Sequence, residues 1–265
     1  MITRVLAAVV GLAVLLPTVI WGGIIAVDVW VAVGLLLCLD EYARMAFPGD
    51  SRVAFAWLVA GTGGGVGALL MAGADAAVGV WCVALPATMA FVTLRPGPTL
   101  RAGADALGRY ALGMSWIGML GTLAMLRRLE DGLGWVFLVL AISWCGDTGG
   151  YFAGRFLGRN KLYPRVSPKK TWEGVAGGVG LAVAGAFAIR AVILPVLTPL
   201  DCVVLGVGLS LAAVLGDLSE SLLKRAYEVK DSGWILPGHG GLLDRIDSVL
   251  FVAPLLYGYA VFVKG

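Results

Sequence analysis

The feature that most limits what this chain can fold into is a succession of apolar runs, several approaching the roughly 20 residues that cross a bilayer as a helix. They fall near residues 4–21, 23–39, 53–72, 76–94, 107–126, 133–154, 174–194, 201–223 and 248–263. Charged residues make up 14% of the chain and mean hydropathy is +0.90. A soluble domain carries about 25% charged residues. The expected fold class is therefore all-α: a polytopic integral membrane protein of about nine transmembrane helices. The first run, Val5 to Ile20, has no clear cleavage site and meets the second across a short Gly22-Gly23 turn. It reads as a retained helix rather than a signal peptide.

Lys and Arg orient the spans. With nine spans and a cytoplasmic N-terminus, sixteen of the twenty basic residues lie inside, and Arg127, Arg128, Arg190 and Lys264 lie outside. That split favours a cytoplasmic N-terminus. It puts both polar connections, 155–173 and 224–247, on the cytoplasmic face of the cell membrane. Residues 1–130 supply N-terminal helices with little specific signal, and residues 131–265 carry the stretches suited to chemistry.

The densest polar stretch runs from Gly216 to Asp247. It holds six of the 17 acidic residues and the one histidine. If its Leu-rich part is helical, Asp217, Ser221, Lys224 and Glu228 fall at i, i+4, i+7 and i+11 on one face. Pro237-Gly238-His239-Gly240-Gly241 cannot continue a helix and should turn tightly. Asp244 and Asp247 then follow at i, i+3 on the next helix. The expectation is helix, glycine turn, helix, with carboxylates converging from both arms. Hard divalent cations such as Mg²⁺ prefer oxygen ligands of this kind. Lys224, Arg225, Lys230 and Arg245 would suit phosphate oxygens.

A second polar stretch begins at Asp147, near the end of an apolar run. An ionisable residue at that depth is a functional candidate; the plainer reading is a carboxylate reaching the interface or paired with Arg155. Downstream, Ser167-Pro168 predicts a helix N-cap and first position. Lys169 and Lys170 would then sit in the first turn, where cations oppose the helix dipole unless they and the helix start together hold an anion such as phosphate. A positive-inside anchor on anionic head groups is the alternative.

Other features point to packing. Gly61-Thr62-Gly63-Gly64-Gly65 has no following Gly-Lys-Ser/Thr and no preceding strand, so it is no phosphate loop. Small residues there let helices approach closely. Gly150, Gly154 and Gly158 form a similar face, for a neighbouring helix or a homodimer. Cys38, Cys82, Cys145 and Cys202 are scattered singly and read as small buried hydrophobes. Asp28 has no obvious partner and reads as an interfacial residue.

Carboxylates beside a basic loop at a membrane surface suggest phosphate chemistry with Mg²⁺. Physics alone stops at metal-dependent phosphoryl or nucleotidyl transfer on a lipid. The motifs go further. Ser221-Leu-Leu-Lys224-Arg225, Lys230-Asp231-Ser232-Gly233, Leu236-Pro237-Gly238-His239-Gly240-Gly241 and Leu243-Asp244-Arg245-Ile246-Asp247 together resemble the signature of the phosphatidate cytidylyltransferase (CDP-diacylglycerol synthase) family. The upstream YFAGR…GRNKL…SPKKTWEG segment is similar to a second stretch of that family.

The resemblance implies a nucleotidyltransferase of phospholipid biosynthesis. CTP and phosphatidic acid would give CDP-diacylglycerol and pyrophosphate, by attack of the lipid phosphate on the α-phosphorus of CTP. The nucleophile is already an anion, so catalysis would be positioning plus charge neutralisation. Asp217 and Asp244 are the expected Mg²⁺ ligands, with Asp247 a third ligand or an orienter, and the family suggests a second, monovalent cation such as K⁺. Lys224, with these Asp residues, is expected in the catalytic set. Ser167, Lys169, Lys170, Ser221, Arg225, His239, Arg245 and Asp147 are the candidate substrate contacts. The partners expected are CTP, phosphatidic acid and membrane lipid, with no nucleic acid. Two other readings stay open: a CTP-dependent polyprenol or dolichol kinase, which would release CDP, and an ion-coupled transporter, which would spread its acidic residues across the membrane depth.

Overall fold

The computed structural model describes residues 2–95, 97–235 and 240–264, with side chains from residue 13 onward. His239 and the side chain of Arg4 lie outside the described residues. All nine apolar runs are helical. Among the described residues, six helices are long and apolar enough to cross a membrane: α2 (Gly23–Ala46), the continuous stretch Ser51–Ala72, α5 (Ala74–Leu94), α8 (Gly132–Phe156), α9 (Trp172–Val192) and α10 (Pro199–Ala226). The protein is an all-α polytopic membrane protein. Helices suit this solvent because each backbone N–H and C=O is satisfied within its own segment.

Several runs are divided, and others lie outside those six. Helix α1 spans Ile2–Trp21. Stretch Ser51–Ala72 is α3 (Ser51–Leu58), a π turn (Val59–Gly63) and α4 (Gly64–Ala72). The run at 107–126 is divided into α6 (Leu100–Gly118) and α7 (Gly121–Arg128). Between them the N–H groups of Met119 and Leu120 reach only three residues back, to Trp116 (3.2 Å) and Ile117 (3.0 Å). Gly118 and Gly121 flank the break, and glycine holds a helix weakly. Helix α11 (Leu243–Ile246) leads into α12 (Val249–Tyr259).

Glycine sets the closest approaches. A Cβ at Gly61 would lie 2.7 Å from the Met114 side chain, and one at Gly65 would lie 2.9 Å from Trp81. In the α8–α9 seam, a Cβ at Gly174 would lie 2.9 Å from the Gly150 carbonyl, and one at Gly178 would lie 2.8 Å from that of Gly146. The small-residue face around Gly150 and Gly154 is thus used within the chain.

Two sequence expectations fail locally. Ser167-Pro168 does not cap a helix: Ser167–Thr171 is strand β2, antiparallel to β1 (Lys161–Tyr163). A residue before proline is driven to extended backbone, which suits a strand. The cap of α9 is Thr171, whose Oγ1 accepts from Gly174 N at 3.1 Å. Lys169 and Lys170 therefore extend from a strand, not from a first helical turn. Glu228 does not continue the α10 face either. Helix α10 ends at Ala226, and Glu228 adopts φ 58°. Val229 N then bonds Lys224 O at 2.9 Å and Glu228 N bonds Arg225 O at 3.2 Å. That is a Schellman ending with glutamate in the place glycine usually holds.

Candidate active site

The two polar stretches meet. Lys170 at the end of β2 pairs with Asp217 on α10, Nζ to Oδ2, at 2.7 Å. Around this pair lies a cleft of about 850 Å³ between α8, α9, α10 and α11. Its charged lining comprises Asp147, Asp217, Glu220, Asp231, Asp244 and Asp247 with Arg155, Lys169, Lys170, Lys224 and Arg245. Its other end, between the helices, is lined by small residues such as Gly146, Gly178, Ser210 and Ala213.

Helix α10 supplies one wall. Asp217, Glu220 and Lys224 lie one turn apart on the same face. Ser221 is outside the lining but donates to Asp217 Oδ1 at 3.3 Å. Lys224 bridges two carboxylates, Glu220 Oε2 at 2.7 Å and Asp244 Oδ1 at 2.6 Å. Glu220 is 1% exposed, and its Oε1 is buried with no hydrogen-bond partner. Sequence reasoning passed over this residue. Its signal was the i, i+4 spacing to Lys224 on the face already assigned to Asp217.

Asp244 is fully engaged. Its Oδ1 takes Lys224, and its Oδ2 accepts from Ser232 N (3.0 Å), Ser232 Oγ (3.0 Å) and Gly241 N (2.9 Å). Burial alone would raise this carboxyl, but Lys224 and the Gly241 and Ser232 N–H groups outweigh it and hold it below the usual carboxylate range. Gly240 turns back with φ +83°, and a Cβ there would lie 2.7 Å from Asp244 Oδ2. The glycine of that turn is thus required twice, by its backbone and by the carboxylate beside it.

Asp247 differs. It is 7% exposed, and its Oδ1 accepts from Ser248 N (2.6 Å) and Ser248 Oγ (3.2 Å). Burial first, then the neighbouring Asp217 charge, push it above the usual carboxylate range. Asp147 faces the same cleft, within electrostatic reach of Asp217, Lys170 and Arg245. Arg155 reaches Tyr151 instead (3.5 Å).

Other candidates fall elsewhere. Arg225 and Lys230 are exposed and absent from the cleft lining, as is Ser167 on β2. Helical neighbours point about 100° apart, so Arg225 cannot share the face of Lys224. Asp28, on α2, has a partner that sequence did not reveal: Arg128 grips both its oxygens, at 2.6 and 2.7 Å.

For a divalent cation the donor chemistry fits. Asp147, Asp217 and Asp247 are oxygen donors that face one cleft, and Asp217 already holds the ammonium of Lys170. Among the described residues, no three His, Cys, Asp or Glu side chains are drawn together at metal-holding range.

Comparison with known proteins shows the family. The sequence is similar to the phosphatidate cytidylyltransferase of Bacillus subtilis, at 44% identity over 155 residues, 58% of this chain and 58% of that protein. The enzyme of the same name from Brucella suis is 40% identical over 164 residues, again 58% of each chain. That of Mycobacterium bovis is 40% identical over 156 residues, 56% of this chain and 51% of that protein. The chain thus spans a little over half the length of the curated relatives it matches. The sequence model of the cytidylyltransferase family matches residues 2–263, nearly end to end, and the chain belongs to that family.

Proposed function

We propose that the cleft joins CTP to phosphatidic acid, giving CDP-diacylglycerol and pyrophosphate. The observation that supports this reading is the cleft's two-ended character. One end is crowded with charge, and the other continues between α8, α9 and α10 over Gly146, Gly178 and Ala213. A molecule with a phosphate head and hydrocarbon tails suits that shape. The relatives' shared name supports the same reaction.

In this reading an oxygen of the lipid phosphate forms a bond to the α-phosphorus of CTP. The bond from that phosphorus to the β-phosphate bridging oxygen breaks, and pyrophosphate leaves. No general base is required, because the nucleophile arrives ionised. Lys169, Lys170, Lys224 and Arg245 hold phosphate oxygens and offset charge as it builds up. Asp217 and Asp247, with Asp147 beside them, would hold Mg²⁺, which would supply charge neutralisation for the triphosphate; the expected ligand Asp244 is passed over because Lys224, Ser232 and Gly241 already occupy its oxygens. Lys170, which pairs with Asp217 at 2.7 Å, lies where it could turn to a triphosphate oxygen instead. Asp244 keeps Lys224 and the glycine turn in place. The cleft faces the cytoplasm, where CTP is, in line with the distribution of basic residues.

The test is purified protein in lipid nanodiscs with labelled CTP, Mg²⁺ and phosphatidic acid. The expected products are labelled CDP-lipid and pyrophosphate in equal amounts. Release of CDP with phosphorylation of an added polyprenol would assign the chain to kinase chemistry instead. The absence of any CDP-lipid would reject the proposal.

A further inference from the structure

We propose that Glu41, on α2 and far along the sequence from the cleft, is a positioning residue for it. Its carboxylate fixes Ser232 and the 241–243 backbone on the two described arms of the loop and, through them, the Asp244–Lys224 pair. The link to catalysis rests on the function proposed above; the link to the loop does not.

Glu41 is 1% exposed. A carboxylate this buried is costly unless its oxygens are satisfied. Here neutral donors from the loop satisfy them. Oε1 accepts from Leu242 N at 2.8 Å and Oε2 from Leu243 N at 2.8 Å, with the Ser232 hydroxyl, which Asp244 shares, 3.2 Å from Oε2. The neighbouring N–H, that of Gly241, goes to Asp244. Three successive amides, 241 to 243, are therefore divided between a carboxylate inside the signature and one some 200 residues earlier. Ser232 joins the two, since its hydroxyl lies within reach of Glu41 Oε2 and of Asp244 Oδ2 (3.0 Å).

The same carboxylate explains two glycines. A Cβ at Gly233 would lie 2.5 Å from Glu41 Oε1, and one at Gly241 would lie 2.5 Å from Oε2 and closer still to Ser232 Oγ. Neither glycine has a positive φ. Gly233 is required as space for Glu41, and Gly241 as space for Glu41 and the Ser232 hydroxyl that bonds it, not for backbone freedom. Loop and carboxylate are shaped to each other, and the loop's far side holds Asp244, which holds Lys224.

Glu41→Gln preserves shape but offers one acceptor where two opposed amides need one each, and it turns an N–H₂ towards an N–H. Hydrogen bonds to a charged group are strong enough that amide exchange at Leu242 and Leu243 should quicken by about tenfold or more in this variant, without any substrate present. Unchanged exchange would overturn the proposal, whatever the cleft does. In the CDP-lipid assay, the KM for CTP should rise about tenfold while that for phosphatidic acid stays put. Loss of folded protein lowers the rate but cannot move one KM alone. A wild type that makes CDP-lipid, beside a Glu41→Gln variant with unaltered KM for CTP, would sink the positioning role. Gly233→Ala supplies the reciprocal check. It should raise the KM for CTP on its own and add nothing in a Glu41→Ala background, where the clash is gone. Additive effects would count against the proposal.

Discussion

The helical bundle carries charge at both ends, and the two ends use it differently. At one end Arg128 grips Asp28 with two bonds, and Arg190 donates to the Leu197 carbonyl at 2.7 Å. There Asp201 closes a capping box with Thr198 at the start of α10 and also receives Tyr259 (2.7 Å) and Lys264. Every one of these carboxylates ties one helix end to another. At the other end, six acidic and five basic side chains line an open cleft. Glu220 keeps a buried oxygen without a hydrogen bond, and Asp247 is pushed upward by burial and by Asp217. Carboxylates closed by partners in this way stabilise a fold. Surplus charge of both signs around a space costs stability and is characteristic of functional sites. The contrast, more than either cluster alone, makes the cleft the candidate working end.

The sharpest way to break that comparison is Asp217→Asn. The ion pair that Asp217 makes with Lys170 is partly exposed, at 33% and 23% for the two side chains. Pairs of that kind contribute roughly 0–1 kcal/mol to stability. Thermal stability should therefore barely change, while CDP-lipid formation falls by about 10²–10³-fold, the range lost when one preorganised charge partner of a transition state is removed. Near-wild-type activity in the Asp217→Asn protein would show that the surplus charge here is not catalytic.

The opposite end should respond the other way round. Arg128→Met removes a two-bond partner from Asp28, leaving a carboxylate with 27% side-chain exposure. Loss of a hydrogen bond to a charged group, with its partner left partly buried, costs about 1.5–3 kcal/mol. The midpoint of thermal unfolding should fall, and kcat per folded molecule should not. A drop in kcat with unchanged stability would erase the distinction between the two ends.

What could be read from the sequence follows the same division. Apolar runs fix helices because the bilayer permits little else, and the nine runs at 4–21 through 248–263 are all helical. The meeting of Asp147, Lys169 and Lys170 with Asp217 was also legible, from charge placement and motif. Local propensity misled at Ser167-Pro168, because Ser-Pro suits an extended strand as well as a cap, and the antiparallel partner at Lys161–Tyr163 decided between them. Glu228 shares a helical face with Lys224 only if the helix continues, and the chain turns left-handed there instead. Glu41 and the Asp28–Arg128 pair were out of reach for a different reason. Their partners lie 201 and 100 residues away, and periodicity sees only neighbours within a few turns.

The finest distinction concerns two adjacent cations, and it calls for the smallest effect. In the sequence Lys224 and Arg225 are equivalent candidates for phosphate. In the structure Lys224 faces the cleft and bridges Glu220 and Asp244, while Arg225 is exposed and lies outside the lining. The 100° step between helical neighbours enforces the split. Arg225→Ala should leave kcat and both KM values within about twofold, because a lone exposed charge on the water side of a helix end adds only screened, long-range attraction for CTP. That residual attraction predicts its own signature: a small rise in KM for CTP at low ionic strength that vanishes near physiological salt. A large, salt-independent loss on Arg225→Ala would mean that the end of α10 unwinds when substrate binds and brings Arg225 round to the cleft, and the boundary between working and structural charge would then have to be redrawn one residue further along the chain.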